Sequence, residues 1–187
     1  MHRPRTILKA RSARQTRGFT LVEVIATMAV MGALGAVASS TVFSALDSYL
    51  DAATRGQLHT EISMAMDRVV RELQNTQLDG SASGVAPDIE SVASSAITWN
   101  DDYSLTLTGG QLMLSDNGAA AEPLLANVSS FSVQTFNESN VALGASLSGA
   151  GCDAIRRIQL TLTMQRNGTI ETLRTKVFLR CTMEGAG

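Results

Sequence analysis

The chain has 187 residues, of which 44% are hydrophobic and 17% charged, which suits one modest globular domain with an appended segment. Its formal net charge is −2. However, six of its 15 Lys and Arg precede Gly18, so the remainder sets nine basic residues against 17 acidic ones, a net charge of −8. This acidic remainder argues against a dominant nucleic-acid surface, which needs accumulated positive charge.

An uncharged, largely apolar run occupies residues 24–46. As a helix rising 1.5 Å per residue it would be about 35 Å long, enough to cross the hydrocarbon core of a membrane. No acidic residue precedes the run until Glu23, whereas six basic residues do, namely Arg3, Arg5, Lys9, Arg11, Arg14 and Arg17. This bias predicts that the N-terminus stays cytoplasmic in the inner membrane and that the rest of the chain is exported.

Glu23 places a carboxylate at the start of this apolar run. An unpaired carboxylate in lipid costs several kcal/mol, so its presence indicates a function that supplies a partner. The string that ends on it, Gly18-Phe19-Thr20-Leu21-Val22-Glu23, resembles the type III signal of type IV pilins and type II secretion pseudopilins.

That resemblance implies a processing event and an assembly contact. Prepilin peptidase would remove residues 1–18 as a leader by cutting between Gly18 and Phe19, and would methylate the new N-terminus. Glu23 would meet the N-terminal ammonium of a neighbouring pilin subunit. A carboxylate and an ammonium, each costly alone in lipid, offset each other when two helices dock in the right axial register.

Two other interpretations of this segment remain open. A basic start, an apolar stretch and Ala36-Val37-Ala38 before Ser39 also satisfy the pattern of an ordinary secretory signal peptide. A plain single-pass anchor is the second alternative. Neither interpretation accounts for the acid at Glu23 or for the string that precedes it.

Beyond the apolar run the pattern becomes amphipathic, and apolar residues from Leu50 to Leu73 recur at helical spacing. We therefore expect the helix of residues 19–46 to continue over residues 47–78 and to stop at Asp79-Gly80. A helix from Phe19 to about Leu78 would be about 90 Å long. Its first part is expected to serve as membrane anchor and filament core, and its second part to pack on a head.

The head is predicted over residues 79–187 as an antiparallel sheet. Residues 79–95 and 137–151 are predicted to be loops, because they are small and polar without strong periodicity. Strand patterns cover residues 96–99, 103–108, 111–115 and 129–136, with residues 124–128 leading into the last of these. The predicted fold class is α+β, with a long N-terminal helix packed on the sheet.

The clearest local pattern is a final hairpin over residues 158–181. Apolar and polar residues alternate from Ile158 to Gln165, and Asn167-Gly168 favours a type I′ turn. In this register Ile158 lies opposite Val177. The register also places Cys152 and Cys181 on one face, one diagonal step apart, near enough to bridge if the strand end relaxes.

An exported protein with two cysteines at the ends of a hairpin is predicted to form a disulfide between Cys152 and Cys181. Two buried free thiols are the alternative. A metal pair is not favoured, because His59 is the only histidine after the leader. His59 itself is predicted to be a solvated helix residue, and no catalytic set can be built around it, so we expect neither enzymatic activity nor a cofactor.

The order and spacing of the strand patterns resemble the minor subunits lettered W in type IV pili and J in type II secretion. Many major pilins also carry a helix-bending proline in the region held here by Ser39-Ser40-Thr41, which favours a minor subunit. The resemblance implies a structural subunit of a type IV pilus or of a type II secretion pseudopilus. Competence systems share the same signal.

Two surface features of the head remain as functional candidates. Asp101-Asp102 and Asp116-Asn117 fit turn residues, with calcium ligands as the other interpretation. On the polar face of the final hairpin the register gathers a basic patch of Arg157, Arg174, Lys176 and Arg180. This patch is either a solvated face or the contact surface of a pilus-tip binding module, an adhesin or DNA-capture head, which is the alternative function.

Overall fold

The computed structural model describes residues 18–82 and 84–183. The chain divides into two compact units, Met1–Asp47 and Ser48–Gly187. The predicted leader therefore lies outside the described residues except for Gly18. One helix, α1 (Leu21–Gln74), has 54 residues and contributes to both units.

In the first unit every described residue is exposed. α1 contains a window with a mean hydropathy of 2.0, long and apolar enough to cross a membrane, and none of that window is buried within the protein. Large side chains such as Ile25, Met28 and Leu34 are 59–70% exposed. An exposed apolar surface of this extent needs a membrane or partner helices to cover it.

In the second unit α1 is amphipathic. Six of its side chains are buried at helical spacing, namely Leu58, Ile62, Ala65, Met66, Val69 and Leu73. The helix ends at Gln74, four residues before the predicted end at Leu78. Tertiary contacts end it early, because Gln77 N donates to Asn100 Oδ1 at 2.9 Å and Leu78 pairs with Pro87 in an isolated β-bridge.

Within the described residues nine strands follow α1. They are β1 (Ile89–Ala93), β2 (Ala96–Trp99), β3 (Tyr103–Thr108), β4 (Gln111–Ser115), β5 (Glu122–Leu125), β6 (Val128–Phe136), β7 (Leu147–Ser148), β8 (Arg157–Arg166) and β9 (Thr169–Phe178). They form two antiparallel sheets, one with the order β5-β4-β3-β2-β1-β7 and one with the order β6-β8-β9.

The two predicted loops are wrong in part, because each contains a strand. β1 lies within residues 79–95 and β7 within residues 137–151. In β1 the pairing with β2 shifts between Ile89 and Ser91, so the buried residues Ile89 and Val92 fall three positions apart and the period of two is lost. β7 has two residues, too few to show any period.

The hairpin of β8 and β9 confirms the predicted register. Ile158 lies opposite Val177, and Leu162 lies opposite Leu173. Asn167 and Gly168 have φ values of 52° and 83°, and positive φ at both central positions is what a type I′ turn requires. The hairpin is regular as far as Phe178, where β9 ends.

A single hydrophobic core joins the buried face of α1 to apolar side chains of both sheets. The first sheet contributes Ile97, Trp99 and Leu105, and the second contributes Leu160 and Leu162, all of which are fully buried. The α+β, pilin-like class is therefore confirmed: one long N-terminal helix packs on antiparallel sheets.

Candidate functional site

The beginning of α1 is shaped by Thr20 and Glu23. Thr20 immediately precedes the first helical residue, and its Oγ1 accepts a hydrogen bond from Glu23 N at 3.3 Å. This is the N-cap arrangement, in which a hydroxyl oxygen satisfies a backbone donor that the first turn leaves free. Glu23 occupies the third helical position, where a carboxylate also interacts favourably with the helix dipole.

The Glu23 carboxylate has no counter-charge in the part of the chain that the structure describes, where the ion pairs involve other residues. Its neighbours in the first turn, Leu21, Val22 and Val24, are exposed apolar side chains. Glu23 thus combines a local capping position with an unpaired charge on an apolar surface. The first role needs only a polar side chain, whereas the second needs a cation, which the described residues do not supply.

Small residues are frequent on the surface of the same exposed segment. A Cβ added at Gly32 or Gly35 would meet nothing within 4 Å, so no contact within the protein requires glycine there. Ala29 and Ala33, like Gly32 and Ala36, follow the small-xxx-small spacing that lets membrane helices approach closely. The segment is suited to packing against other helices.

Residues 13–39 match the family model of the prokaryotic N-terminal methylation motif. None of the curated proteins compared with the chain matches it. The methylation motif spans the predicted cleavage site, Glu23 and the first part of the apolar helix. It indicates a precursor of the type IV pilin or pseudopilin type that is anchored in a membrane, processed by prepilin peptidase and assembled with other pilins.

The two cysteines do not form the predicted disulfide in this structure. Cys152 is buried and Cys181 is half-buried, and both are free. The prediction extended the hairpin register beyond the ends of the strands. β8 begins at Arg157 and β9 ends at Phe178, so both cysteines lie outside the hairpin: Cys152 directly follows one short 3-10 turn and Cys181 lies within another. Burial raises the pKa of each thiol, which keeps it protonated and unreactive at neutral pH.

The structure brings together three of the four residues of the predicted basic patch. Arg157 and Lys176 both donate to Asn140 Oδ1, at 3.2 and 3.4 Å, and Arg174 follows on the same exposed face of β9. Arg180 is wrongly placed by the prediction, because it lies in a 3-10 turn beyond the end of β9. We call Arg157, Arg174 and Lys176 the basic face.

Two phenylalanines lie beside the basic face: Phe178, which the sequence also placed there, and Phe136, which it did not. Lys176 Nζ lies 4.2 Å from the centre of the Phe136 ring, and the Arg157 guanidinium lies 5.2 Å from the centre of the Phe178 ring. Both distances fit cation–π contacts. In the sheet Phe136 pairs with Arg157, which pairs with Phe178, so the three side chains form one row across β6, β8 and β9.

A cluster of carboxylates lies at the β2–β3 turn, and of its three members the sequence interpretation named only Asp101. Oxygens of Asp88, Glu90 and Asp101 lie within 4.8 Å of one another, and Asp101 N donates to Glu90 Oε1. Carboxylate oxygens are ligands that Ca²⁺ accepts, but three residues supply fewer than its usual six to eight ligands. Asn100 and Asp101 have φ values of 51° and 62°, which confirms Asp101 as a turn residue.

Asp88 is expected to destabilise the head at neutral pH. Burial raises its pKa above 3.8, and the charges of Asp101, Glu90 and Asp79 raise it further. The folded protein thus binds this proton more tightly than the unfolded chain, so stability falls as pH rises from 3.8 through the folded pKa. Asp88→Asn should raise the midpoint of urea unfolding at pH 7 and leave it unchanged well below pH 3.8.

Asp51→Asn is the matched control for this substitution, because Asp51 is exposed on α1 and outside the cluster. An equal gain at pH 7 from both substitutions would reflect overall charge reduction and would contradict the role given to Asp88.

His59 lies where the sequence predicted, on the solvated side of α1, with a side chain that is 61% exposed. Its Nδ1 is 3.1 Å from Glu171 Oε1 on β9. Two residues further along α1, Glu61 accepts two hydrogen bonds from Arg166, at 3.0 and 2.7 Å. These contacts connect α1 to the tip of the β8–β9 hairpin.

Proposed function

We propose that the protein is a minor pilin or pseudopilin, a structural subunit of a type IV pilus or a type II secretion pseudopilus. The observation that carries the proposal is the methylation motif on an exposed apolar helix headed by a carboxylate that has no ion-pair partner among the described residues. A soluble globular protein has no use for such a helix, whereas a membrane and then a bundle of like helices would cover it.

Residues 1–18 are the leader in this proposal. Prepilin peptidase hydrolyses the peptide bond between Gly18 and Phe19, and the new amine of Phe19 is methylated. The N-terminus faces the cytoplasm and the head is exported, as the basic residues before Gly18 favour. Residues 19–46 serve as the anchor, and residues 47–78 connect them to the head of residues 79–187.

Assembly then rests on one charge pair for each subunit contact. The Phe19 ammonium of one subunit meets the Glu23 carboxylate of its neighbour, and each relieves the unfavourable burial of the other. Because the pair forms at one axial offset only, it selects that offset among the many that apolar surfaces tolerate. The apolar residues and glycines of the segment supply close packing around it.

The assignment as a minor subunit, of the W type of pili or the J type of secretion systems, rests on two features. The order and spacing of the strands in the head resemble those subunits, and no proline bends α1 at Ser39-Ser40-Thr41. α1 is helical through these three residues, and each of their hydroxyls donates to a backbone carbonyl three or four residues earlier.

The intact mass of the mature protein tests the processing step. We expect a chain that begins with N-methylated Phe19, so the mass should fall by that of residues 1–18 and rise by one methyl group. The same chain produced in cells without prepilin peptidase is the control and should keep its leader. A mature chain that begins at Ser39 would show an ordinary secretory signal and would contradict the proposal.

A further inference from the structure

Charge is strongly segregated along the exported part of the chain. Between Arg71 and Arg156 there is no Lys, Arg or His, but there are ten acidic residues: Glu72, Asp79, Asp88, Glu90, Asp101, Asp102, Asp116, Glu122, Glu138 and Asp153. From Arg156 to Arg180 there are six basic residues and one acidic residue, Glu171. Mixed surface charge is the norm for small domains, so this separation calls for a partner.

The fold gathers the acidic residues onto one surface. The Asp88–Glu90–Asp101 cluster lies at the β2–β3 turn, and Gly118 N, in the β4–β5 connection, donates to Asp102 O at 3.1 Å, which joins the two turns. Asp116 and Glu122, at the start and end of that connection, line a common depression. We call these six residues, Asp88, Glu90, Asp101, Asp102, Asp116 and Glu122, the acidic face.

Neither face is neutralised by the chain itself. In the described ranges, 18–82 and 84–183, no ion pair includes a residue of the basic face. On the acidic face one ion pair occurs, between Arg68 and Asp116 at 4.0 Å with both side chains 48% exposed, and such exposed pairs contribute little. Burial raises the pKa of Asp88, and the neighbouring carboxylates of Asp101, Glu90 and Asp79 raise it further.

Contacts within the head hold the cationic side chains of the basic face in place. Asn140 Oδ1 holds Arg157 and Lys176 close together, although two cations repel each other. Phe136 and Phe178 lie beside them, and the side chain of Phe178 is 45% exposed. Arg next to an exposed aromatic ring is typical of the residues that contribute most to protein interfaces.

We propose that the basic face binds the acidic face of a second copy of this chain, head to tail. The chain itself carries both complementary surfaces, and among the described residues no ion pair joins one face to the other. An extended polyanion such as DNA is disfavoured, because residues 48–187 hold 15 Asp and Glu against nine Lys and Arg. A compact copy brings only its acidic face within the Debye length of about 8 Å.

Because different surfaces meet, each bound pair leaves one basic and one acidic face free, so the contact can repeat. It goes beyond the proposed function, since it concerns the head and does not depend on cleavage or on Glu23.

The test uses two differently tagged copies of the full chain, mixed in a non-ionic detergent. In one variant, Arg174→Glu and Lys176→Glu reverse the basic face, and in the other, Asp102→Lys and Glu122→Lys reverse the acidic face. These four side chains are exposed, so folding should persist, which circular dichroism checks. Recovery of the second tag should fall at least about tenfold for each variant with itself, because like charges then face each other.

Mixing the two variants supplies the decisive control. Each variant keeps one unchanged face that complements the unchanged face of the other, and their two reversed faces also complement each other. Recovery should therefore return, and the complexes should grow beyond pairs, because every contact between the two variants joins opposite charges. Recovery by the unchanged chain should also fall when salt is raised from 0.05 to 0.5 M. If neither reversal changes recovery, the proposal is wrong.

A 20-base-pair duplex DNA and vesicles with anionic lipid serve as separate probes. Suppose that the unchanged chain binds one of these probes and loses that binding when its basic face is reversed, while its self-association stays intact. That result would mean that the basic face binds a polyanion and not a second copy of the chain. The intact mass of the mature chain is independent of all these measurements, so a failure of processing and a failure of head-to-tail binding are distinguishable.

Discussion

Replacing Glu23 with glutamine should lower incorporation of the protein into filaments at least tenfold, with membrane insertion unchanged. The substitution removes the charge and leaves a neighbour's N-terminal ammonium without its partner in an apolar setting, which costs several kcal/mol. The apolar segment that directs insertion is untouched. Co-purification with the other pilin subunits measures incorporation, and the fraction of the protein in the membrane pellet measures insertion.

Glu23→Ala, beside Glu23→Gln, separates the two roles that the structure allows for this residue. Both variants keep the backbone N–H that donates to Thr20 Oγ1, so the Thr20 cap should survive in each, whereas only glutamine keeps a polar side chain at the third helical position. If charge is what matters, both variants fail alike. Normal incorporation of Glu23→Gln together with poor incorporation of Glu23→Ala would mean that Glu23 acts through a polar side chain in the first helical turn and not through its charge.

Trp99→Ala should lower the free energy of unfolding of the head by about 3–5 kcal/mol. Trp99 is fully buried in the core, and its ring stacks on Tyr103 with the ring centres 5.7 Å apart. Alanine would leave a cavity in rigid surroundings, between strands that cannot close over it. Urea unfolding followed by far-ultraviolet circular dichroism measures the change without depending on tryptophan fluorescence.

Trp99→Phe is the matched control for volume. Trp99 Nε1 is buried and has no hydrogen-bond partner among the described residues, so its loss leaves no other polar group unsatisfied. Phenylalanine should therefore cost less than half as much as alanine. Equal losses from the two substitutions would contradict the prediction that the lost volume sets the cost.

Local patterns made much of the head predictable. The β8–β9 hairpin follows from an Asn-Gly turn and an unbroken alternation, and both act between residues close in sequence. β1 escaped prediction because its irregular pairing with β2 removes the alternation. The end of α1 was missed for a different reason: Asn100, more than twenty residues away, supplies the hydrogen bond that takes over after the last turn.

The candidate sites, too, were predicted where their residues are close in sequence and missed where they are distant. Glu23 and its setting are contiguous in sequence, so the motif alone predicted the N-terminal site, and the structure added the Thr20 cap. The three residues of the basic face were predicted from the hairpin register, but their contacts with Phe136 and Asn140 were not, because those residues come from β6 and the connection after it. The acidic cluster brings together residues at the start of β1 and in the β2–β3 turn, and no local pattern in the sequence predicts that these residues lie close together.

The wholly exposed apolar half of α1 also bears on whether assembly can be undone. Lipid tails are about as apolar as the side chains of neighbouring helices, so moving this segment from membrane to filament gains little from the hydrophobic effect. In the proposed filament the apolar segment would therefore lose little on returning to the bilayer, so subunits released by a shortening filament would re-enter the membrane intact. The membrane would act as a reservoir from which the same molecules are drawn repeatedly.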